Sequence, residues 1–328
     1  MSTGLVAGKF DPPHRGHALL IDTARIKTAR VIVLVFDYPE QTVPVEQRAA
    51  WLREIHPGVD VRVLPTFNYL RITPEDAKVE GARVRELLGE PVDVLFTSED
   101  YGAMIASELG AVHFMVDRER AMVPITGTMV RRSPASMLRW LEPCVRAYFV
   151  PRVCIAGAES TGKSMLCERL AEHYETVWVP EYGREYATDK FLAGRLGQWS
   201  ESEFAHIAFE QQRREDDLAR RANNVLICDT DAVASRVWCE RYLDREPVHW
   251  PLPPSRIALY LIPYPDVPFV ADEIRDGQHR RFWMHERLLE VMGQTGRPIV
   301  VLQGTFEERD AQATEAIDAL LEAKVKQP

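Results

Sequence analysis

Two stretches of the chain share one grammar. GLVAGKFDPPHRGHALLIDTAR, at the start, and VCIAGAESTGKSMLCERLA, near the middle, each run from an apolar strand-like segment through a glycine-rich turn into an apolar helix-like segment. A strand that hands over to a helix cannot meet its successor through a tight hairpin, so the next strand returns parallel and the helix covers the sheet. The rest of the sequence repeats the pattern. In the first half the apolar, β-branched runs are GLVAG, RVIVLVF, VDVRVLP, VDVLFTSE and VHFMVD, with amphipathic segments such as Ala18–Ala29 and Val45–Ile55 between them. In the second half they are RVCIAG, TVWVPE, NVLICDTD, RIALYLIP and PIVVLQG, with helical runs at Lys163–Tyr174, Glu201–Ala222 and Ala311–Lys324. The reading is α/β, two tandem doubly wound parallel-sheet domains over 1–147 and 148–328, with the proline-flanked stretch Pro143–Arg152 as the boundary.

Length agrees, since 328 residues suit two domains that each bury a core. The net charge of −9 gives no general attraction for nucleic acid or an anionic membrane, so any nucleotide contact must come from local sites. No basic leader or long apolar run points to export or a membrane span. Five scattered cysteines without C-x-x-C pairing read as reduced thiols of a cytoplasmic protein, and zinc is not expected. The sequence fixes no oligomeric state and is compatible with a homo-oligomer.

At the first turn, a helix N-terminus offers free N–H groups and the positive end of its dipole to an anion. Gly8 and Gly16 permit close backbone approach, Lys9 adds a cation beside Phe10, and His14 and His17 project to one side of the first helical turn. Imidazoles placed there suit a triphosphate and the charge that develops as pyrophosphate leaves, although a histidine pair by a proline turn is also an ordinary surface feature. Ser98 and Glu99 end a strand at the carboxyl edge of the sheet, where ligands of such folds lie.

The second turn, Gly157–Ser164, reads GAESTGKS and fits G-x-x-x-x-G-K-[ST] in its required strand-to-helix context. The cradle spans Gly157, Glu159, Ser160, Thr161, Gly162, Lys163, Ser164 and Met165. Backbone N–H groups would hold the phosphates of ATP, Lys163 would reach the β- and γ-phosphates, and Ser164 would ligate Mg2+. Glu181, with Tyr182 and Arg184, follows the next strand, and Asp229, Thr230 and Asp231 follow the third. Glu181 is the candidate general base and Asp229 the metal-side carboxylate, unless either caps a helix or pairs with Arg184. The later run PDVPFVADEIRDGQHRR is either a basic lid or a solvated face.

The first turn resembles the H-x-G-H signature of the nucleotidylyltransferase superfamily. ITGTMVRR resembles that superfamily's second marker, I-S-x-T-x-x-R, with Thr126 in the serine position, Thr128 in place and Arg131 as the arginine. The tandem of such a domain with a P-loop kinase resembles the NadR family of bifunctional nicotinamide mononucleotide (NMN) adenylyltransferases and ribosylnicotinamide kinases. The strings at Glu181–Arg184, Asp229–Asp231 and Ala271–Arg275 add to the likeness. The resemblance implies ATP and Mg2+, with nicotinamide riboside phosphorylated to NMN and NMN adenylylated to NAD. It places Glu181, Tyr182, Arg184, Asp229, Thr230, Asp231 and Arg275 around the riboside. In the first domain Phe67 and Asn68 offer a ring and an amide to the nicotinamide, or else pack within a loop.

Two departures from the family stand out. Many members carry an N-terminal helix-turn-helix, for which the first strand leaves no room here, so no DNA binding is expected. Glu273 replaces the usual glycine of the lid string, and Arg280 and Arg281 downstream offer other arginines. The alternatives are another nucleoside as substrate, or an NAD-sensing regulator with weak transferase turnover.

Overall fold

The computed structural model describes residues 1–64, 74–195, 197–248, 250, 255–271 and 277–325. The chain divides into two compact units, Met1–Val145 and Arg146–Pro328. The first is built from β1 (Thr3–Gly8), α1 (Arg15–Lys27), β2 (Arg30–Phe36), α2 (Val45–Ile55), β3 (Asp60–Leu64), α3 (Pro74–Leu88), β4 (Val94–Thr97), α4 (Gly102–Leu109), β5 (Val112–Met115) and α5 (Gly127–Arg132). Its strands are all parallel, in the order β3-β2-β1-β4-β5.

β2 shows why the apolar runs are continuous. Ile32 and Leu34 join Leu5 and Leu95 on one face, under Val84 and Leu88 of α3 and Ile105 and Leu109 of α4. Val31, Val33 and Val35 join Val6 and Phe96 on the other, under Leu20 and Ile21 of α1 and Ala49 and Leu52 of α2. Both faces are covered, so every residue of the strand after Arg30 is apolar. The direction of winding reverses beside β1, which opens a crevice at its carboxyl end.

α6 (Pro143–Phe149) occupies most of the stretch read as the boundary. Pro143 stands at its first position, where the missing N–H is no loss, so this proline starts a helix. The second unit then runs β6 (Arg152–Ile155), α7 (Lys163–His173), β7 (Trp178–Val179), α8 (Tyr182–Leu192), α9 (Glu201–Ala219), β8 (Leu226–Asp229), α10 (Ala232–Leu243), β9 (Ile257–Pro263), α11 (Arg281–Gly293), β10 (Ile299–Leu302) and α12 (Phe306–Val325). Its parallel order is β10-β9-β6-β8-β7. Val153, Ile155, Ile227, Leu259 and Leu261 pack under Leu166 and Leu170 of α7 and Ala313 and Ile317 of α12. A second, aromatic cluster joins Phe204, Trp199, Trp238 and Tyr242. No helix among the described residues is long and apolar enough to cross a membrane.

Candidate functional site

The first unit has a cavity of about 340 Å³ at the end of β1, lined by Gly8, Lys9, Phe10, His14, His17, Ser98, Glu99, Thr126, Thr128 and Arg131 among others. The two sequence motifs meet there because of Asp11. Its buried carboxylate accepts four hydrogen bonds from the β2–α2 loop: the Tyr38 hydroxyl at 2.5 Å, the Thr42 N–H and hydroxyl at 2.9 Å each, and the Val43 N–H at 3.2 Å. Its backbone carbonyl accepts from Arg131 Nη1 at 2.5 Å, which draws α5 to the turn, and Arg131 Nη2 donates to the Thr128 hydroxyl at 3.1 Å. Thr126 caps α5, its hydroxyl oxygen accepting from the Met129 N–H at 3.1 Å. That bond leaves the hydroxyl proton as the part of Thr126 that can serve a phosphate.

His14 is the N-cap of α1, and its ring stacks on that of His17 with centroids 3.7 Å apart. Gly16 leaves room for it, since a Cβ there would lie 3.1 Å from the His14 ring and press on it. Burial, reinforced by the Arg120 charge, pushes the His14 imidazole down to about 4, and burial beside His14 and Arg120 pushes His17 down as well. Both rings are therefore neutral near pH 7, and the Nδ1 atom of each is buried with no hydrogen-bond partner among the described residues. They can donate hydrogen bonds to phosphate oxygens without carrying charge. Lys9 lies 4.5 Å from the centroid of the Tyr38 ring, and Glu99 accepts from Arg120 at 2.8 Å. Phe67 and Asn68 lie outside the described residues.

The second cavity, about 540 Å³, lies wholly within the second unit and joins residues 159–165 of the phosphate loop to Glu181, Arg184 and Thr230. Gly162 takes the left-handed conformation, φ 84°, at the start of α7, and Lys163 Nζ donates back to the Ala158 carbonyl at 3.1 Å. The Ser164 hydroxyl donates to Asp229 at 2.5 Å, while the other Asp229 oxygen is buried without a hydrogen-bond partner among the described residues. A divalent cation fits that vacant lone pair and the hydroxyl beside it. Burial pushes the Glu181 carboxyl up to about 7, with the Asp229 charge adding to the rise and Lys163 opposing it. Burial raises the Asp229 carboxyl too, against the pull of Lys163 and Ser164. Thr230 holds φ 69°, unusual for a β-branched residue, and its buried hydroxyl has no partner among the described residues.

Several expected residues have other duties. The Asp231 carboxylate caps α10 through the Ala234 N–H at 2.8 Å and accepts the Tyr260 hydroxyl at 2.8 Å, which turns it away from the second cavity. Tyr182 puts its hydroxyl 3.2 Å from His206 and does not line the cavity either. The Glu159 side chain is spent on an ion pair with Arg241 at 2.8 Å. Arg281 donates to the Ser160 and Val267 carbonyls at 3.1 and 2.9 Å, behind the phosphate loop. Arg280 pairs with Asp244 at 2.7 Å, and Arg275 lies outside the described residues.

Sequence reasoning missed the residues that support both loops from behind. A loop that aims its N–H groups at a ligand turns its carbonyls inward, where they need donors. Arg48, fully buried, donates to the Lys9, Phe36 and Val43 carbonyls. Arg309, 2% exposed, donates to the Thr161, Tyr264 and Gly304 carbonyls. Gln211, also fully buried, donates to the Asp229 carbonyl and accepts from the Tyr182 N–H, fixing the strand end and helix start that carry the two acids. The aromatic wall of Trp199, Phe204, Trp238 and Tyr242 was missed as well.

Two outcomes follow from this geometry. Histidine-selective NMR should find both the His14 and His17 rings neutral at pH 6.5, with the His14 midpoint near 4; ordinary midpoints for both rings would contradict the burial described. Because these pKa values lie below that of a free imidazole, the unfolded chain binds more protons between pH 6.5 and 4, and the pair's contribution to stability falls as pH drops through that window. Methionine at Arg48 or Arg309 should strand buried carbonyls at about 1–3 kcal/mol each, lower the thermal midpoint, and weaken nucleotide binding in the affected unit alone. Calorimetric titration with ATP analogues reads the second effect.

Residues 5–133 match the family described as cytidylyltransferase-like, and residues 152–309 match an AAA domain family. The chain is 30% identical over 292 residues to the trifunctional NAD biosynthesis/regulator protein NadR of Escherichia coli (strain K12), covering 83% of this chain and 71% of that one. The protein of the same name from Salmonella typhimurium is 28% identical over 292 residues, with the same coverage. Among solved structures, a NadR protein in complex with NR has a TM-score of 0.74 at 22% identity, covering 98% of this chain and 95% of the other. A second, in complex with NAD and AMP-PNP, has a TM-score of 0.72 at 21% identity over 98% and 96% of the two chains. With two phosphate turns, two matched domain families and a relative aligned along most of its length, the chain belongs to the NadR family.

Proposed function

We propose that the second unit phosphorylates nicotinamide riboside with ATP, and that the first unit joins the resulting NMN to the adenylyl group of another ATP. The products are ADP and NMN from one reaction, NAD and pyrophosphate from the other. The observation that carries this reading is the meeting, in one cavity, of Lys163, Ser164 and Glu181 with an aromatic wall. Nicotinamide riboside carries a cationic ring on a neutral sugar, and electron-rich rings attract such a cation. The curated relative's name includes NAD biosynthesis, and the structural neighbours hold NR, NAD and AMP-PNP, in line with these substrates.

In the kinase reaction Glu181, poised about 7, accepts the proton of the riboside 5′-hydroxyl as its oxygen attacks the γ-phosphorus. The bond to the β,γ-bridging oxygen breaks and ADP leaves. Backbone N–H groups of the loop and Lys163 hold the phosphates in line. Ser164 and Asp229 would hold Mg2+, which neutralises triphosphate charge when bound. Thr230 and Arg184 line the cavity and are assigned to the riboside.

In the transferase reaction a phosphate oxygen of NMN attacks the α-phosphorus of ATP, and pyrophosphate departs. No side chain needs to act as nucleophile. His14 and His17 donate neutral hydrogen bonds, while Lys9, Arg131 and the hydroxyls of Thr126 and Thr128 meet the leaving charge. The five cysteines are free and buried, which fits a reducing compartment, and we place both reactions in the cytoplasm.

Lys163→Ala should lower riboside phosphorylation by about 10²–10³-fold and spare adenylyl transfer, with His17→Ala doing the reverse. Parallel assays with uridine and cytidine, whose bases are neutral, should show much poorer phosphorylation. If either variant disables the other reaction, or if uridine serves as well as the riboside, the assignment is wrong.

A further inference from the structure

Glu159 occupies the second variable position of the phosphate loop, yet its side chain faces away from any role a phosphate would need. One carboxylate oxygen accepts from Arg241 Nη1 at 2.8 Å and the other from the Gly277 N–H at 2.9 Å. Both ion-pair partners are almost fully withdrawn from water, with side-chain exposures of 5% for Arg241 and 8% for Glu159. The Arg241 guanidinium also lies 5.2 Å from the Trp238 ring centroid and 4.5 Å from that of Tyr242, the aromatic wall of the same cavity. The fit leaves no slack: a Cβ on Gly277 would stand 2.5 Å from Arg241 Nη2 and 2.8 Å from the Glu159 carboxylate.

A buried ion pair is seldom the most stable way to fill such a space, whereas it does hold two elements in one relative geometry. We infer that Glu159 and Arg241 are positioning residues that couple the two halves of the second cavity. The charge-assisted hydrogen bond from the guanidinium to the carboxylate transmits the setting of the phosphate loop to the wall where the riboside ring stacks. Nucleotide in the loop then tightens riboside binding, and riboside tightens nucleotide binding to the same degree. The inference rests on reading this cavity as the shared seat of ATP and nicotinamide riboside.

The test uses the full chain and its Glu159→Gln, Arg241→Lys and Arg241→Met variants. In the unaltered chain the riboside KM should be about fivefold or more lower at saturating ATP than at ATP far below its own KM. Glu159→Gln and Arg241→Met should bring that ratio to one, raising the riboside KM by a larger factor than they lower kcat. Arg241→Lys, which keeps the charge and a donor but loses the guanidinium plane against the two rings, should restore part of the ratio.

A second readout needs no turnover. ADP should change the emission of Trp238, isolated by difference from a Trp238→Phe chain, and Glu159→Gln should abolish the change while calorimetry still finds ADP bound. An unchanged KM ratio together with an unchanged Trp238 response in Glu159→Gln overturns the coupling. Should Arg241→Met fail to fold by its melting curve, Glu159→Gln, which keeps an acceptor for the Gly277 N–H, decides alone. Failure of the unaltered chain to phosphorylate the riboside would sink the kinase assignment, and the emission experiment would still decide the coupling.

Discussion

A loop that offers its N–H groups to an anion must find donors for the carbonyls it turns inward, and both sites are organised around that need. In the first unit the answer is Arg48, whose guanidinium gathers carbonyls from the β1–α1 and β2–α2 loops. In the second it is Arg309, helped by Arg281, on the carbonyls of the phosphate loop and the loops beside it. Arginine suits the task because it presents five donors in a rigid plane and keeps its charge even when buried. The ligand-facing surface is therefore set by contacts on its hidden side. Asp11 completes the scheme as the acceptor counterpart, drawing loop N–H groups and hydroxyls inward where Arg48 draws carbonyls.

Burial produces opposite chemistry in the two cavities. It discharges the histidines of the first, leaving donors that do not titrate near neutrality, and it brings the Glu181 carboxyl of the second into the range where proton transfer is reversible. The difference matches the demands of the reactions. A phosphate acceptor is already ionised and needs only neutralised surroundings, whereas a sugar hydroxyl has a proton to lose.

Much of the fold was legible because central strands such as β2 carry apolar residues toward both faces, and because Gly8, Gly16 and Gly162 mark turns that must approach something closely. The ten strands of the described residues and their parallel arrangement follow from that pattern. Half of each site was legible for the same reason, since phosphate turns are contiguous in sequence. The aromatic wall was not. It gathers Trp199, Phe204, Trp238 and Tyr242 from three segments of the second unit, and each alone reads as core. Asp231 and Tyr182 mislead in the opposite sense: neighbours of true cavity residues, they are turned aside by a helix cap and by His206.

Thr230 carries a last consequence. A branched side chain held at φ 69° costs about 1–3 kcal/mol that a glycine would not. The fold tolerates this misfit at the rim of the second cavity, with a hydroxyl still seeking company. At this one position durability and the shape of the cavity pull apart: relieving the backbone with a glycine would toughen the protein and remove a hydroxyl from the cavity lining.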